Sequence, residues 1–306
     1  MIEYLIKRIV QIIPVLLIVS FLIVSITRLV PGDPVRNILG EEATQEQYQE
    51  LSEKFGLDKP ILIQYGTYVK NLIKGDMGRT YFRNLPVAKE IGDRYPNTFK
   101  IALIAAIVST IIGIVLGVTA ALHRGKIFDS VIMVLSLVAV STPIFFLCII
   151  LMVVFGVELR WLPVMGLTTW KHYIMPVASL SAQSIATISR TMRSSMLDVL
   201  GEDYIRTAWA CGIPRHVVIY KNAIRNAMIP VVTIIGFQFG SLLTGAAITE
   251  SVFSLNGMGS YMVYGVMSRD YPVIQGTILV FALVFVVVNL LTDLCYGLFD
   301  PRISYK

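Results

Sequence analysis

Apolar residues in this chain do not alternate with polar ones; they run. Six stretches, residues 9–29, 98–122, 130–157, 174–196, 229–248 and 273–298, each reach the ~20 residues a helix needs to cross a bilayer. Between the first two lies a polar interval of soluble character. Within it PGDP (31–34) reads as a turn. Residues 43–54 (ATQEQYQELSEK) read as a helix with Thr44 as N-cap and Gln47 completing a capping box. GLDKP (56–60) ends that helix, and residues 61–73 offer a second amphipathic one, closed by Gly75. The pattern predicts an all-α integral membrane protein: six transmembrane helices with a small helical external domain after the first. Residues 1–30 hold a cytoplasmic tip and the first span, 31–97 the external insertion, 98–298 a five-helix core with a cytoplasmic loop at 197–228, and 299–306 a cytoplasmic tail.

Composition agrees. Of 306 residues 55% are hydrophobic and 15% charged, against about 25% charged in soluble domains, and the mean hydropathy is +0.71. The net charge of +6 does not imply nucleic acid, because no basic patch interleaves with aromatics. It follows the positive-inside rule instead. Lys7, Arg8, Arg124, Lys126, the 197–228 loop, Arg302 and Lys306 fall on one side, while the short loops opposite carry Arg160, Lys171 and Arg269. The first run is too long for a signal-peptide core and lacks a small-x-small cleavage site, so it reads as an uncleaved span with its N-terminus inside. Cys148, Cys211 and Cys295, like His123, His172 and His216, are scattered and imply neither a disulfide framework nor a metal site.

Several spans carry particular signals. Gly113 and Gly117 form a small-xxx-small face suited to close packing. Pro143, after Ser141 and Thr142, kinks the third span and reads equally as a hinge or a passive bend. Trp161, Trp170 and Tyr173 sit as interfacial anchors. The fourth span is the most polar, with Ser179, Ser181, Gln183, Ser184, Thr187 and Ser189, which suits interhelical bonding or a wet path. In the fifth, Gln238, Ser241, Thr244 and Thr249 form a polar stripe, and Glu250 closes it at the interface. Ser141, Gln183, Gln238 and Ser241 are the candidates for a translocation path.

The loop 202–230 (EDYIRTAWACGIPRHVVIYKNAIRNAMIP) is the centre of the chain's organisation. Ile205, Ala208, Trp209 and Gly212 fall on one helical face. Gly212 stands at a C′ position and Pro214 in the first turn of a second helix, where Ile213, Val217, Tyr220 and Ile224 share a side. Arg206, Arg215, Lys221 and Arg225 keep it basic. Two short helices broken at a glycine form a knuckle that another protein can push.

Arg206-Thr207-Ala208 running to Gly212, with Arg225-Asn226-Ala227 leading to Pro230, resembles the "EAA" loop of ATP-binding-cassette (ABC) importer permeases, in the variant of the dipeptide, oligopeptide and nickel branch. Arg206 and Thr207 replace the name-giving Glu and Ala, as is common in that branch. PGDP, GLDKP, GDMG (75–78), Arg269-Asp270-Tyr271-Pro272 and Asp300-Pro301-Arg302 are similar to its landmarks. The resemblance implies a type I importer permease fold, with Asp203, Tyr204, Arg206, Thr207, Ala208, Ala210, Gly212 and Arg215 in the loop that couples to an ATPase. It implies a paralogous second permease, two cytoplasmic ATPase subunits holding ATP and Mg, an external solute-binding protein, and a place in a bacterial or archaeal cytoplasmic membrane. Peptides are the expected cargo, with nickel chelates or glutathione as alternatives. The external insertion would be a brace or a docking site for the binding protein.

The chain has no GxxxxGK[ST], GxSxG or HExxH, so no phosphate cradle, nucleophile elbow or zinc-protease helix is available. No mid-span carboxylate is expected, which argues against an ATP-independent secondary transporter. A non-catalytic permease driven by separate subunits, with no cofactor of its own, is the reading these residues favour.

Overall fold

The structure, a computed structural model, describes residues 2–29, 32–40 and 42–299, and among them the side chains of 10–29, 32–40 and 42–292. Pro31, the side chains of Lys7, Arg8, Asp293 and Cys295, and the terminal Asp300-Pro301-Arg302 and Lys306 lie outside what it describes. The described residues are helical, without a strand. They form α1 (Ile2–Leu29), α2 (Pro34–Leu39), α3 (Gln45–Lys54), α4 (Ile61–Ile73), α5 (Val87–Leu122), α6 (Ile127–Ser141), α7 (Ile144–Leu151), α8 (Lys171–Leu200), α9 (Asp203–Ala210), α10 (Arg215–Val217), α11 (Ile224–Val252), α12 (Met258–Ser268) and α13 (Tyr271–Phe299). A π-helical turn, Met152–Glu158, continues α7, and another, Val218–Ala223, joins α10 to α11.

Local chemistry sets many of these boundaries. The Thr44 hydroxyl accepts from the Gln47 N–H and the Gln47 side chain accepts from the Thr44 N–H, the reciprocal box expected for α3. Asp33 caps α2 through the Val35 N–H at 2.8 Å.

The third apolar run is more than kinked. α6 stops at Ser141, α7 starts at Ile144, and the two axes meet at 104°. Thr142 is extended, as a residue before proline is driven to be, and both its N–H and its hydroxyl return to the Val138 carbonyl. The Gln183 side chain donates to the Thr142 carbonyl at 3.0 Å, satisfying a group the break exposes.

Among the described residues four helical segments are long and apolar enough to cross a membrane, Val10–Leu29, Val87–Leu122, Arg215–Val252 and Tyr271–Thr292, and the bent α6–α7 pair makes a fifth if it counts as one span. α8 has 30 residues, ample length, but its serines keep it below that hydropathy.

The chain divides into two compact units. The first comprises Met1–Thr98 and Asn256–Val286. Its buried centre joins Val87 and Ile91 to Met258, Tyr261 and Val273. The second comprises Phe99–Leu255 and Val287–Lys306. Here α5 packs on α8 through the expected glycines: a Cβ at Gly117 would lie 2.6 Å from Met192 Cβ and the Ser189 carbonyl, and one at Gly113 2.7 Å from Ile188. The core beside this contact holds Ile188, Met192 and Met196 of α8 together with Ile205, Val218, Ile219, Ala223 and Ala227 of the loop.

Candidate functional site

The knuckle is anchored by one side chain. Ile205 is fully buried among Met192, Met196, Val218 and Ala223, so α9 is pinned to the ends of α8 and α11 rather than hanging free. The Tyr204 hydroxyl accepts from the Asn226 amide at 2.8 Å, tying α9 to the start of α11. Ser195 donates to the Ala227 carbonyl at 2.9 Å and ties α8 to the same turn.

α9 ends as Gly212 demands. Gly212 lies at φ +75°, its N–H donates to the Trp209 carbonyl at 3.0 Å, and the Ile213 N–H donates to the Ala208 carbonyl at 3.2 Å. These are the two bonds of a Schellman cap, which turns the chain out of a helix through a left-handed residue. Pro214 then precedes α10.

The faces differ from the periodic expectation. Ile205 is buried and Ala208 partly buried, but Trp209 is 44% exposed. After the glycine, Ile213 and Tyr220 are exposed, while Val218, Ile219, Ala223 and Ala227 are buried. The cause is the π-helical turn Val218–Ala223: with i→i+5 pairing each residue rotates less, and the 3.6-residue register fails. The result is a projecting surface on which Tyr204, Trp209, Ile213 and Tyr220 stand exposed with Arg206, Arg215 and Lys221. Asp203 and Arg206 face solvent and sit 3.6 Å apart. Thr207 bonds back to the Asp203 carbonyl, and Ala210 is exposed beside Cys211.

Three of the path candidates meet. Gln183 of α8 and Gln238 and Ser241 of α11 line one cavity of about 210 Å³ together with Ser184 and Thr187. Ser141 does not line it; it is exposed at the end of α6, where the chain breaks away. Thr249 is buried and faces Cys148 instead. Ser179, Ser181 and Ser189 of α8 bond back onto their own helix: Ser179 bonds the Pro176 carbonyl, Ser181 that of Val177, and Ser189 that of Ala186 while also meeting Ser136 at 3.1 Å.

Two acids of the second unit are buried. Glu250, near the end of α11, is wholly buried, with the Leu255 N–H returning to its carbonyl and Phe253 buried as well. Asp129, in the first turn of α6, is buried and forked by Arg193 of α8 at 2.5 and 2.7 Å, with the Gly125 N–H at 3.0 Å. The pattern of apolar runs did not single out either residue. The available signal was one acid opening one helix and one arginine closing another, at the same end.

In the first unit the short motifs converge. The Asp33 carboxylate accepts from Tyr48 at 2.6 Å, Arg28 reaches the Leu57 carbonyl at 3.1 Å, and the Asp270 carboxylate accepts from the Tyr81 N–H at 2.9 Å. Gly32, at φ +126°, lies where a Cβ would run into the Arg269 guanidinium. Gly78 touches Pro272. Burial pushes the Asp270 carboxyl up to about 6, against backbone N–H groups led by that of Tyr81. Among the described residues no cluster of His, Cys, Asp or Glu could hold a metal ion.

Comparison with known proteins bears on what this arrangement serves. The family model described as binding-protein-dependent transport system inner membrane component matches residues 113–305, and the model for the N-terminal region of such components matches residues 1–102. The chain belongs to this family of ABC importer permeases. Glutathione transport system permease proteins GsiC from Escherichia coli K12 and Salmonella choleraesuis are 42% and 41% identical over 306 residues, covering all of both chains. The fold also matches the MetNI methionine ABC transporter in inward-facing form, at TM-score 0.59 and 15% identity, over 69% of this chain and 96% of that one. An amino acid ABC transporter gives TM-score 0.51 at 17% identity, over 70% of this chain and 94% of that one. The fold is thus that of type I importer permeases, and the dipeptide, oligopeptide and nickel-type branch is the one the sequence joins. Permeases of this family sit in the bacterial inner membrane and leave ATP hydrolysis to partner subunits.

Proposed function

We propose that this chain is one half of the pore of an importer for glutathione and other small peptides, and that α9 couples that pore to an ATPase. The observation that carries the reading is the knuckle itself. Its interior is fixed by Ile205 and the Gly212 cap, while Tyr204, Trp209, Ile213 and Tyr220 face outward with basic neighbours. A rigid element with an apolar, cationic outer surface is built to be gripped, and the same core that fixes it runs along α8 and α11. A push on α9 is therefore delivered to the helices that line the 210 Å³ cavity. Arg206, Thr207, Ala210 and Arg215 complete the gripped surface. Gln183, Gln238 and Ser241 contribute donors and acceptors to the path.

Six spans follow if the bent α6–α7 pair is the third and α8 the fourth, with both termini and the knuckle inside. A paralogous permease, two ATPase chains carrying ATP and Mg, and a solute-binding protein complete the assembly. The cargo reading draws on the GsiC relatives, and glutathione, a tripeptide, lies within the peptide class that the motifs favour. An ATP-independent transporter is the contrasting possibility. Cys211, exposed beside Gly212, offers a native handle. A thiol cross-linker on purified transporter should join Cys211 to an ATPase chain. Modification of Cys211 by an impermeant thiol reagent added outside intact cells would end the proposal. Glutathione displaced by short peptides in uptake assays supports the cargo assignment; uptake of neither rejects it.

A further inference from the structure

The helix α4 is amphipathic in the reverse sense for an external, water-bathed domain. Gln64, Thr67, Tyr68 and Asn71, spaced i, i+3, i+4, i+7, line a cavity of about 540 Å³ inside the first unit. Leu62, Gly66, Val69 and Ile73 fall on the opposite side, and Leu62 and Ile73 are 72% and 82% exposed. A helix beside water turns its apolar stripe to the protein; this one turns its polar stripe there.

A second observation sets its depth. The Tyr65 hydroxyl donates to the Leu17 carbonyl at 2.9 Å and lies 3.2 Å from Ser20 Oγ, and its ring stacks edge-on against Phe21. Ser20 and Leu17 lie nine and twelve residues before the end of α1 at Leu29, roughly 14 and 18 Å along a helix axis. A tyrosine side chain is too short to span that interval, so the backbone of α4 also lies below the end of α1. Arg28 holds the upper edge, through the Gln64 side chain at 2.6 Å and the Leu57 carbonyl.

We propose that α4 is an interfacial helix seated in the bilayer leaflet at the Leu29 end of α1, with Leu62, Val69 and Ile73 against acyl chains and its polar face on a hydrated cavity. Amphipathic helices of this kind sit about 5–10 Å into the headgroup–acyl boundary, and the Tyr65 contacts likewise require α4 to lie below the Leu29 end of α1. Lys70 lies at the margin of the apolar arc, where its stem can follow the chains and its ammonium reach the headgroups. The inference rests on α1 being a membrane span.

The test is nitroxide accessibility in the assembled transporter in lipid nanodiscs, with Cys148, Cys211 and Cys295 replaced by alanine and single cysteines introduced as Leu62→Cys, Ile73→Cys, Asn71→Cys and Ile18→Cys. Positions 62 and 73 should collide with oxygen more than with a water-soluble nickel chelate, as position 18 does, while position 71 shows the reverse. Chelate-dominated collisions at 62 and 73, with 18 still in lipid, overturn the proposal in favour of an aqueous domain. Protection of 62 and 73 from both probes overturns it in favour of coverage by a second protein. Chelate access at 18 removes the membrane reading of α1 and this proposal with it.

Discussion

Substitution at Gly212 separates backbone geometry from side-chain space. A Cβ there would meet nothing within 4 Å, so no packing term opposes a larger residue inside this chain. What opposes it is φ +75°. An L-residue in the left-handed region costs about 1–2 kcal/mol, with asparagine the best tolerated after glycine. Gly212→Asn should therefore be mild, Gly212→Ala intermediate, and Gly212→Val the worst, since β-branching makes positive φ a severe outlier. The strain acts on the Schellman pair, two bonds each contributing about 0.5–1.5 kcal/mol. If the cap is lost, α9 keeps its Ile205 anchor but its far end no longer points one way.

A 1.4 kcal/mol penalty corresponds to about a tenfold loss in the competent population, and the valine variant should show that or more. The assay is uptake in proteoliposomes beside ATP hydrolysis by the same preparation. Gly212→Val should lower uptake per ATP about tenfold with yield and helical content unchanged, and Gly212→Asn should stay within about threefold of the parent. An asparagine variant as defective as the valine one would refute the backbone argument and show that space on the outer surface decides. A valine variant that transports normally would refute the coupling role.

Three further outcomes are expected. Asp129→Asn leaves Arg193 without its buried counter-charge and should destabilise the detergent-solubilised protein by about 2 kcal/mol, below the 3–5 of a fully buried pair because Arg193 is partly exposed; Asp129→Asn with Arg193→Met should recover part of the loss in thermal melting. Gly117→Leu forces α5 from α8 against the Ser189 carbonyl and Met192 and should cost at least the ~1–3 kcal/mol of overpacking, read as a lower melting temperature, whereas Gly125→Leu in the open loop should not do so by packing. Asp270, whose folded carboxyl titrates near 6 against about 3.9 unfolded, binds its proton more tightly when folded, so its contribution to stability is complete below pH 4 and is lost as pH rises through 6; Asp270→Asn should flatten that slope and raise stability at pH 7 by on the order of 2 kcal/mol.

What was legible in the sequence was local. The Thr44–Gln47 box, the Gly113 and Gly117 contact and the Gly212 turn each depend on residues within a few positions or on one face of a helix, and each stands in the structure as read. The misread parts involve register and long-range pairing. Nothing in VIYKNA announces a π turn, yet those six residues rotate the buried face from Val217 and Tyr220 to Val218, Ile219 and Ala223. The partnership of Asp129 with Arg193 spans 64 positions and is set by how α6 meets α8. Of the residues proposed for the path, Gln183, Gln238 and Ser241 converge because α8 and α11 lie side by side, whereas Ser141 is carried away by the 104° break that follows it.

α8 shows why counting polar residues misjudges a span. A hydropathy average treats every hydroxyl as a group that needs a partner from outside, and by that measure α8 is not a membrane helix. Yet Ser179, Ser181, Thr187 and Ser189 all bond carbonyls of their own preceding turn, so their polarity is largely spent before any neighbour meets it. α4 presents the opposite case. Its apolar residues look like core when read along the chain, but the face toward the cavity has been given to Gln64, Thr67, Tyr68 and Asn71, and Leu62 and Ile73 face away. In a bilayer the meaning of a side chain depends on which solvent its face of the helix meets. The hydrogen bond from Tyr65 to the middle of α1 decides that for α4 where composition could not.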